Sequence, residues 1–101
     1  MKLLPRTVRY KNQDLVIGIT HYDTSPNHKA IVSNDFKTGE PVAAFTRNFP
    51  GKVAPDEVAI DINNCGTVAV KVLAEAKIIG EKTLRWITSG FCNYPVHKLL
   101  V

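Results

Sequence analysis

Between Leu15 and Tyr22 the side chains alternate. Leu15, Ile17 and Ile19 fall on one face, and Val16, Thr20 and Tyr22 fall on the other. A period of two predicts a strand, and Gly18 within it marks a bulge or a close packing partner. Upstream, Thr7-Val8-Arg9-Tyr10 is β-branched and aromatic enough for a strand, and Lys11-Asn12-Gln13-Asp14 has the chemistry of a turn, so the two segments read as a hairpin. Asp23-Thr24-Ser25-Pro26-Asn27-His28 is the most loop-like stretch. A third strand follows from Lys29 to Asn34, centred on Ile31-Val32. The segment from Asp35 to Glu40, holding Thr38-Gly39, turns into a fourth strand from Pro41 to Asn48. Short local turns make the run from Leu15 to Arg47 an antiparallel meander.

The pattern then changes. Phe49-Pro50-Gly51 and Ala54-Pro55-Asp56 interrupt it, and Glu57 to Asp61 reads as a short strand or an extended approach to a helix. From about Cys65 to Ile79 the period is helical: Val68, Val72, Ala76 and Ile79, flanked by Ala69 and Leu73, form an apolar stripe, with Lys71 and Glu75 opposite. Asn63 or Asn64 is the expected N-cap and Gly80 the expected left-handed terminator. Thr83 to Thr88 reads as a strand carrying Leu84, Trp86 and Ile87, and Phe91 to Tyr94 follows after Ser89-Gly90. Pro95 implies that Val96 to Val101 lies at an edge or begins a fresh strand. An apolar helical stripe must be buried against something, and the sheet is its only partner. The expected architecture is therefore α+β: an antiparallel meander sheet of about five to six strands packed by one helix in two layers. Ile17, Ile31, Phe45 and Trp86 are its expected inner face.

Composition narrows this picture. At 101 residues the chain reads as a single domain over 1–101, and 45% hydrophobic against 22% charged residues is a globular balance. Met1-Lys2-Leu3-Leu4 opens like a signal peptide, but Pro5 and Arg6 end the apolar stretch, and no run approaches the ~20 residues of a membrane span. The expectation is a cytoplasmic protein without a membrane partner, its two cysteines present as buried thiols. The formal net charge of +4 is unevenly distributed. Lys2, Arg6, Arg9 and Lys11 meet only Asp14 near the start. Lys71, Lys77, Lys82, Arg85 and Lys98 meet Glu75 and Glu81 near the end. Were the terminal strands adjacent, these charges would share a face, and Arg6, Arg9, Lys11, Lys82, Arg85 and Lys98 are the candidate partner-binding residues.

Three segments carry a resemblance: Asn48-Phe49-Pro50-Gly51, then Asp61-Ile62-Asn63-Asn64-Cys65 leading into the helix, then Gly90-Phe91-Cys92-Asn93-Tyr94-Pro95. Their order resembles a family of small bacterial, phage and plasmid proteins known only as a domain of unknown function. The resemblance covers about the last half of the chain, and Gly66-Thr67 stand where that pattern has Pro-Trp. It implies a setting in accessory or mobile genetic regions, where small inhibitors of host defence are common. It implies no catalytic residue.

Candidate chemistry is sparse. Cys65 and Cys92, with His21, His28 and His97, contain zinc-ligand types but none of the close spacings that zinc sites use. Cys65 at a helix N-terminus is the better nucleophile candidate, because that position lowers a thiol's pKa. Asp56, Glu57 and Asp61 show no converging partner, and the glycines form no phosphate loop. No cofactor is implied. The leading expectation is a small non-enzymatic binding protein of mobile-element type, an inhibitor of a host defence complex in the manner of anti-CRISPR proteins. The alternatives are a nucleic-acid accessory protein, using those cations with Tyr10, Tyr22 and Trp86 for stacking, and a thiol- or metal-dependent enzyme. Edge pairing through Val96 to Val101 would make a dimer.

Overall fold

In the computed structural model, which describes all residues from Met1 to Val101, the first hairpin forms as its residues dictate. Strands β1 (Lys2–Tyr10) and β2 (Gln13–Tyr22) join at the Tyr10–Gln13 pair, with Lys11 (φ 47°) and Asn12 (φ 65°) both left-handed, the signature of a type I′ turn. The register of β1 slips between Leu3 and Thr7, around Pro5, which has no N–H to offer a ladder. Strand β3 (Ser25–Asp35) pairs with β2, and β4 (Pro41–Ala44) pairs with β3, giving a four-stranded meander in the order β1-β2-β3-β4. The expected loop from Asp23 to His28 is mostly strand: Tyr22 pairs with Ser25, so only Asp23 and Thr24 turn, and Pro26 to His28 sit in the register slip that follows.

Here the single-sheet expectation is corrected. The fourth strand is two strands, β4 and β5 (Thr46–Arg47), separated at Phe45. The Phe45 N–H donates to the Ile31 carbonyl of β3 (2.8 Å), while its own carbonyl accepts from the Asp61 N–H (2.8 Å). Thr46 and Arg47 then pair with β6 (Glu57–Ile60) in a second antiparallel sheet of order β5-β6-β8-β7, with β7 spanning Arg85–Ser89 and β8 Cys92–Lys98. A strand that changes sheets at a bend is how two sheets turn a corner around one core. A cluster of 17 buried residues draws Ile17 and Ile31 from the first sheet, Val58 and Ile60 from the second, and Phe45 between them.

The single helix is likewise two: α1 (Ile62–Cys65) and α2 (Val68–Glu75), divided at Gly66 (φ 80°). Asp61, rather than Asn63 or Asn64, caps α1, its carboxylate accepting from the Asn64 backbone and side-chain amides. The end of α2 is a Schellman turn. Ile78 N–H donates to Leu73 O and Lys77 N–H to Ala74 O, both at 3.0 Å, with Lys77 at φ 61° in the left-handed position expected of Gly80. The helix buries Ala69, Leu73 and Ala74, whereas Val68 is exposed and Val72 half-buried, so its inner face is the expected stripe's flank.

Trp86 is the other correction to the expected core. It is 57% exposed, at the sheet edge beyond the helix's cover. Pro95 lies within β8, a central strand. Opposite Trp86 its missing N–H falls at a non-hydrogen-bonded position, and the β6 ladder reaches only Val96 to Lys98. Val96 pairs with both β6 and β7, Lys98 pairs with β6 and accepts from the Gly80 N–H, and Leu99 bridges Ile79, so Val96 to Leu99 form an inner strand and not the free edge expected of them. A smaller cluster of Ala59, Ile87, Tyr94 and Val96 lies on the second sheet's other face beneath Phe49 and Val53. No helix is long and apolar enough to cross a membrane.

Lysine in a left-handed conformation is strained by about 1 kcal/mol relative to glycine. Lys77→Gly is expected to stabilise the fold by about that amount, read as a raised urea midpoint with unchanged m-value.

Candidate functional site

The six cations singled out in the sequence fall into two groups. Arg6 and Arg9 project from β1 and Lys11 from its turn, on the first sheet; Lys82, Arg85 and Lys98 belong to the second sheet and the segment leading to it. The terminal strands β1 and β8 lie in different sheets, so the pairing that would have merged the two groups does not occur.

The second group is largely occupied. The Arg85 guanidinium meets the Glu57 carboxylate in a fork, Nη2 to Oε1 at 2.6 Å and Nη1 to Oε2 at 3.1 Å, and Nη2 also donates to Lys52 O at 2.7 Å. Hydrogen bonds from Arg85, then from the Ala54 amide, hold the Glu57 carboxyl at about 2. Lys98 Nζ lies 3.0 Å from Asp56 Oδ2. These two pairs fasten the segment 48–56 over the smaller core, a structural task that the sequence pattern did not separate from binding. Lys82 alone of this group has no ionic partner.

The first group is more open. Arg6 donates to Ala76 O at the end of α2, where the helix dipole favours a cation. Arg9 Nη1 pairs with Asp14 Oδ1 at 3.2 Å, a solvent-exposed contact that is weak. Lys11 Nζ lies 5.2 Å from the Tyr10 ring centroid. Between β1 and α2 is an open cleft of about 450 Å³ whose walls bring Arg6 and Arg9 together with Lys77, against one lining acid, Glu75. Lys77 is not among the six candidate residues read from the sequence. It sits at the left-handed position after α2 and lines the cleft opposite β1, a placement that spacing alone does not give.

Of the side chains that chemistry would need, Cys65 and His97 are held in structural contacts, whereas His21 is exposed and Cys92 is a half-buried free thiol. Cys65 ends α1 instead of opening a helix, so the N-terminal activation expected of it is absent. Burial, reinforced by the nearby Asp61 carboxylate, pushes its pKa up. Its Sγ lies 3.5 Å from Ala44 O, and its carbonyl accepts from Tyr10 OH at 2.7 Å. His97 is fully buried, and a carbonyl only accepts, so Nδ1 carries the proton donated to Gly80 O (2.8 Å), while Nε2 shares a hydrogen bond with the Thr83 hydroxyl (2.9 Å). His28 donates through Nε2 to Val53 O at 2.8 Å. No three His, Cys, Asp or Glu side chains gather as metal ligands.

Comparison with known proteins yields no matching family model, no matching curated relative and no matching solved structure. The site therefore stands on its geometry.

One surface the sequence reading did not find lies on the other flank of α2. Trp86 and Pro95 face Ile62, Val70 and Ala74 across an apolar groove of about 330 Å³, and Leu84 and Phe91 are exposed nearby in the chain. Alternation with Ile87 sets Trp86 on the helix-facing side of the second sheet, where α2 leaves it uncovered.

Two outcomes follow. The Glu57 carboxyl titrates at about 2 in the fold against 4.5 ordinarily, so its contribution is full above pH 4.5 and is lost as pH falls toward 2. Urea midpoints of the wild type are expected to drop more steeply across that window than those of Glu57→Gln. In thiol labelling followed by mass spectrometry, Cys92 is expected to react in the native state and Cys65 only as fast as the protein unfolds.

Proposed function

We propose that this chain is a non-enzymatic binding domain that takes an acidic protein surface against the cleft between β1 and α2. The observation that carries the reading is the convergence of Arg6, Arg9 and Lys77 on one open cleft with Glu75 as the only lining carboxylate. Cations at an exposed rim steer an acidic partner into place and set specificity more than raw affinity. The non-enzymatic part rests on the state of the reactive groups: a buried thiol with a raised pKa, and a histidine with both ring nitrogens bonded. Resemblance to small phage and plasmid proteins supports the narrower form, an inhibitor of a host defence complex of the anti-CRISPR kind.

Nucleic-acid binding is the second reading, and the excess positive charge favours it. It is the weaker because its stacking residues are dispersed. Tyr10 is buried with its hydroxyl on Cys65 O, Tyr22 bonds Thr46 Oγ1 at 2.7 Å, and Trp86 belongs to the second sheet.

The tagged chain, passed through lysates of defence-bearing and defence-lacking bacterial hosts, is expected to retain a stable acidic protein. The charge-reversal pair Arg9→Glu with Lys77→Glu should release it while leaving the thermal melt within about 1 kcal/mol of wild type. Empty eluates from both lysates would sink the proposal. A salt-dependent mobility shift of DNA or RNA, lost in the same variant, would move the assignment to the second reading.

A further inference from the structure

A β-sheet edge presents unpaired N–H and C=O groups, and proteins that remain monomeric block such edges. Three of the four edges here are blocked. Strand β1 carries Pro5, a register slip and the cations Arg6 and Arg9. Strand β4 is four residues long and begins at Pro41, and β5 is two residues long with Arg47 exposed. Strand β7 has no such device. Its one charged residue, Arg85, is turned to Glu57, and neither lysine nor proline occurs from Arg85 to Ser89.

The register of the β7–β8 hairpin fixes what that edge offers. Pro95 cannot donate, so Trp86 and Pro95 form a non-hydrogen-bonded pair, and the alternation of an antiparallel ladder makes Thr88–Asn93 another. At such pairs the backbone groups point away from the neighbour. The N–H and C=O of Trp86 and Thr88 therefore face outward from β7, which pairs with no strand but β8.

We infer that two copies of this chain associate by antiparallel pairing of β7 with β7 about a two-fold axis through Ile87. That register sets Trp86 of one copy against Thr88 of the other, and Thr88 against Trp86, so all four outward-facing residues fall in hydrogen-bonded pairs. It sets Arg85 against Ser89, so no like charges meet, which matters for a chain of net charge +4. An aromatic across from a β-branched residue is a favoured cross-strand pair. The hairpin tip of each copy, Gly90-Phe91, then reaches the start of the other's strand at Leu84. Leu84 before β7, Trp86 within it and Phe91 at the hairpin tip, all large exposed apolar side chains, thus lie along a single seam. The interface is isologous and closed, consistent with a discrete dimer.

Trp86 is the only tryptophan, so its emission reports on the seam. Light scattering after size exclusion is expected to show a concentration-dependent rise toward twice the 11.2 kDa of one chain, accompanied by a blue shift of the emission. Thr88→Pro removes one outward donor without touching the β8 ladder, and Trp86→Lys places a gatekeeper on the edge. Each is expected to weaken association about tenfold or more. Trp86→Lys decides the matter should the proline variant melt early. A wild-type chain that stays monomeric with unshifted emission would overturn the inference, as would a Trp86→Lys variant that dimerises as tightly as wild type. A wild-type monomer that instead binds an unrelated extended peptide along β7 would assign the edge to foreign strands and likewise overturn it.

Discussion

The whole architecture turns on the two backbone hydrogen bonds of Phe45. A chain leaving one sheet for another strands its backbone polar groups in the core, and a buried group left unbonded costs about 1–3 kcal/mol. Phe45 avoids that cost on both sides, giving its N–H to Ile31 in the first sheet and its carbonyl to Asp61, the N-cap that directly follows β6 of the second. Its ring lies edge-on to Tyr10, with centroids 5.1 Å apart. Tyr10 in turn donates to the Cys65 carbonyl, at the end of the turn that Asp61 caps. Phe45, Asp61, Cys65 and Tyr10 thus form a closed circuit that holds both sheets and the start of the helical segment to one another.

Local periodicity made much of this legible. The hairpin at Lys11-Asn12, the β2-β3-β4 meander and the burial of Ile17, Ile31 and Phe45 all follow from alternation and turn chemistry. The change of sheets at Phe45 is not legible locally, because no glycine, proline or asparagine interrupts the run from Val42 to Arg47. What divides it is a pair of hydrogen bonds to residues far along the chain. The helix was overextended because Cys65 to Ile79 is apolar at helical spacing throughout. Two residues with positive φ, Gly66 and Lys77, cut it, and lysine is not a type that announces a left-handed turn. Trp86 is exposed for a simpler reason: a helix of eight residues is too short to cover the sheet's full width.

For the candidate site, composition identified the right residue types but could not separate fasteners from free charges. Arg85 and Glu57 are 28 residues apart, so no local pattern could reveal their fork. That fork, with Lys98 and Asp56, keeps an irregular segment seated over a second small core. What remains open to solvent is the cleft of Arg6, Arg9 and Lys77, whose own contacts (Arg6 to Ala76 O, Arg9 to Asp14 and Lys77 to Glu81 at 3.9 Å) are exposed and weak; the packing of α2 beside β1 assembles it from distant parts of the sequence.

The same short helix walls both surfaces. Val72, Glu75 and Ala76 line the cationic cleft beside β1, and Val70, Lys71 and Ala74 line the apolar groove beside β7. A two-fold axis at Ile87, perpendicular to the joined sheet, would set both α2 helices on one side of it, each with its cleft turned away from the seam. Two modest charged sites held at a fixed spacing act on a repetitive or symmetric acidic partner as one bivalent site, and the gain in apparent affinity comes from effective concentration without any added contact. A chain of 101 residues has little surface to spare for a large interface. Doubling through an edge that needs only main-chain hydrogen bonds and three apolar side chains is the way this fold could reach tight binding from weak, screened charges.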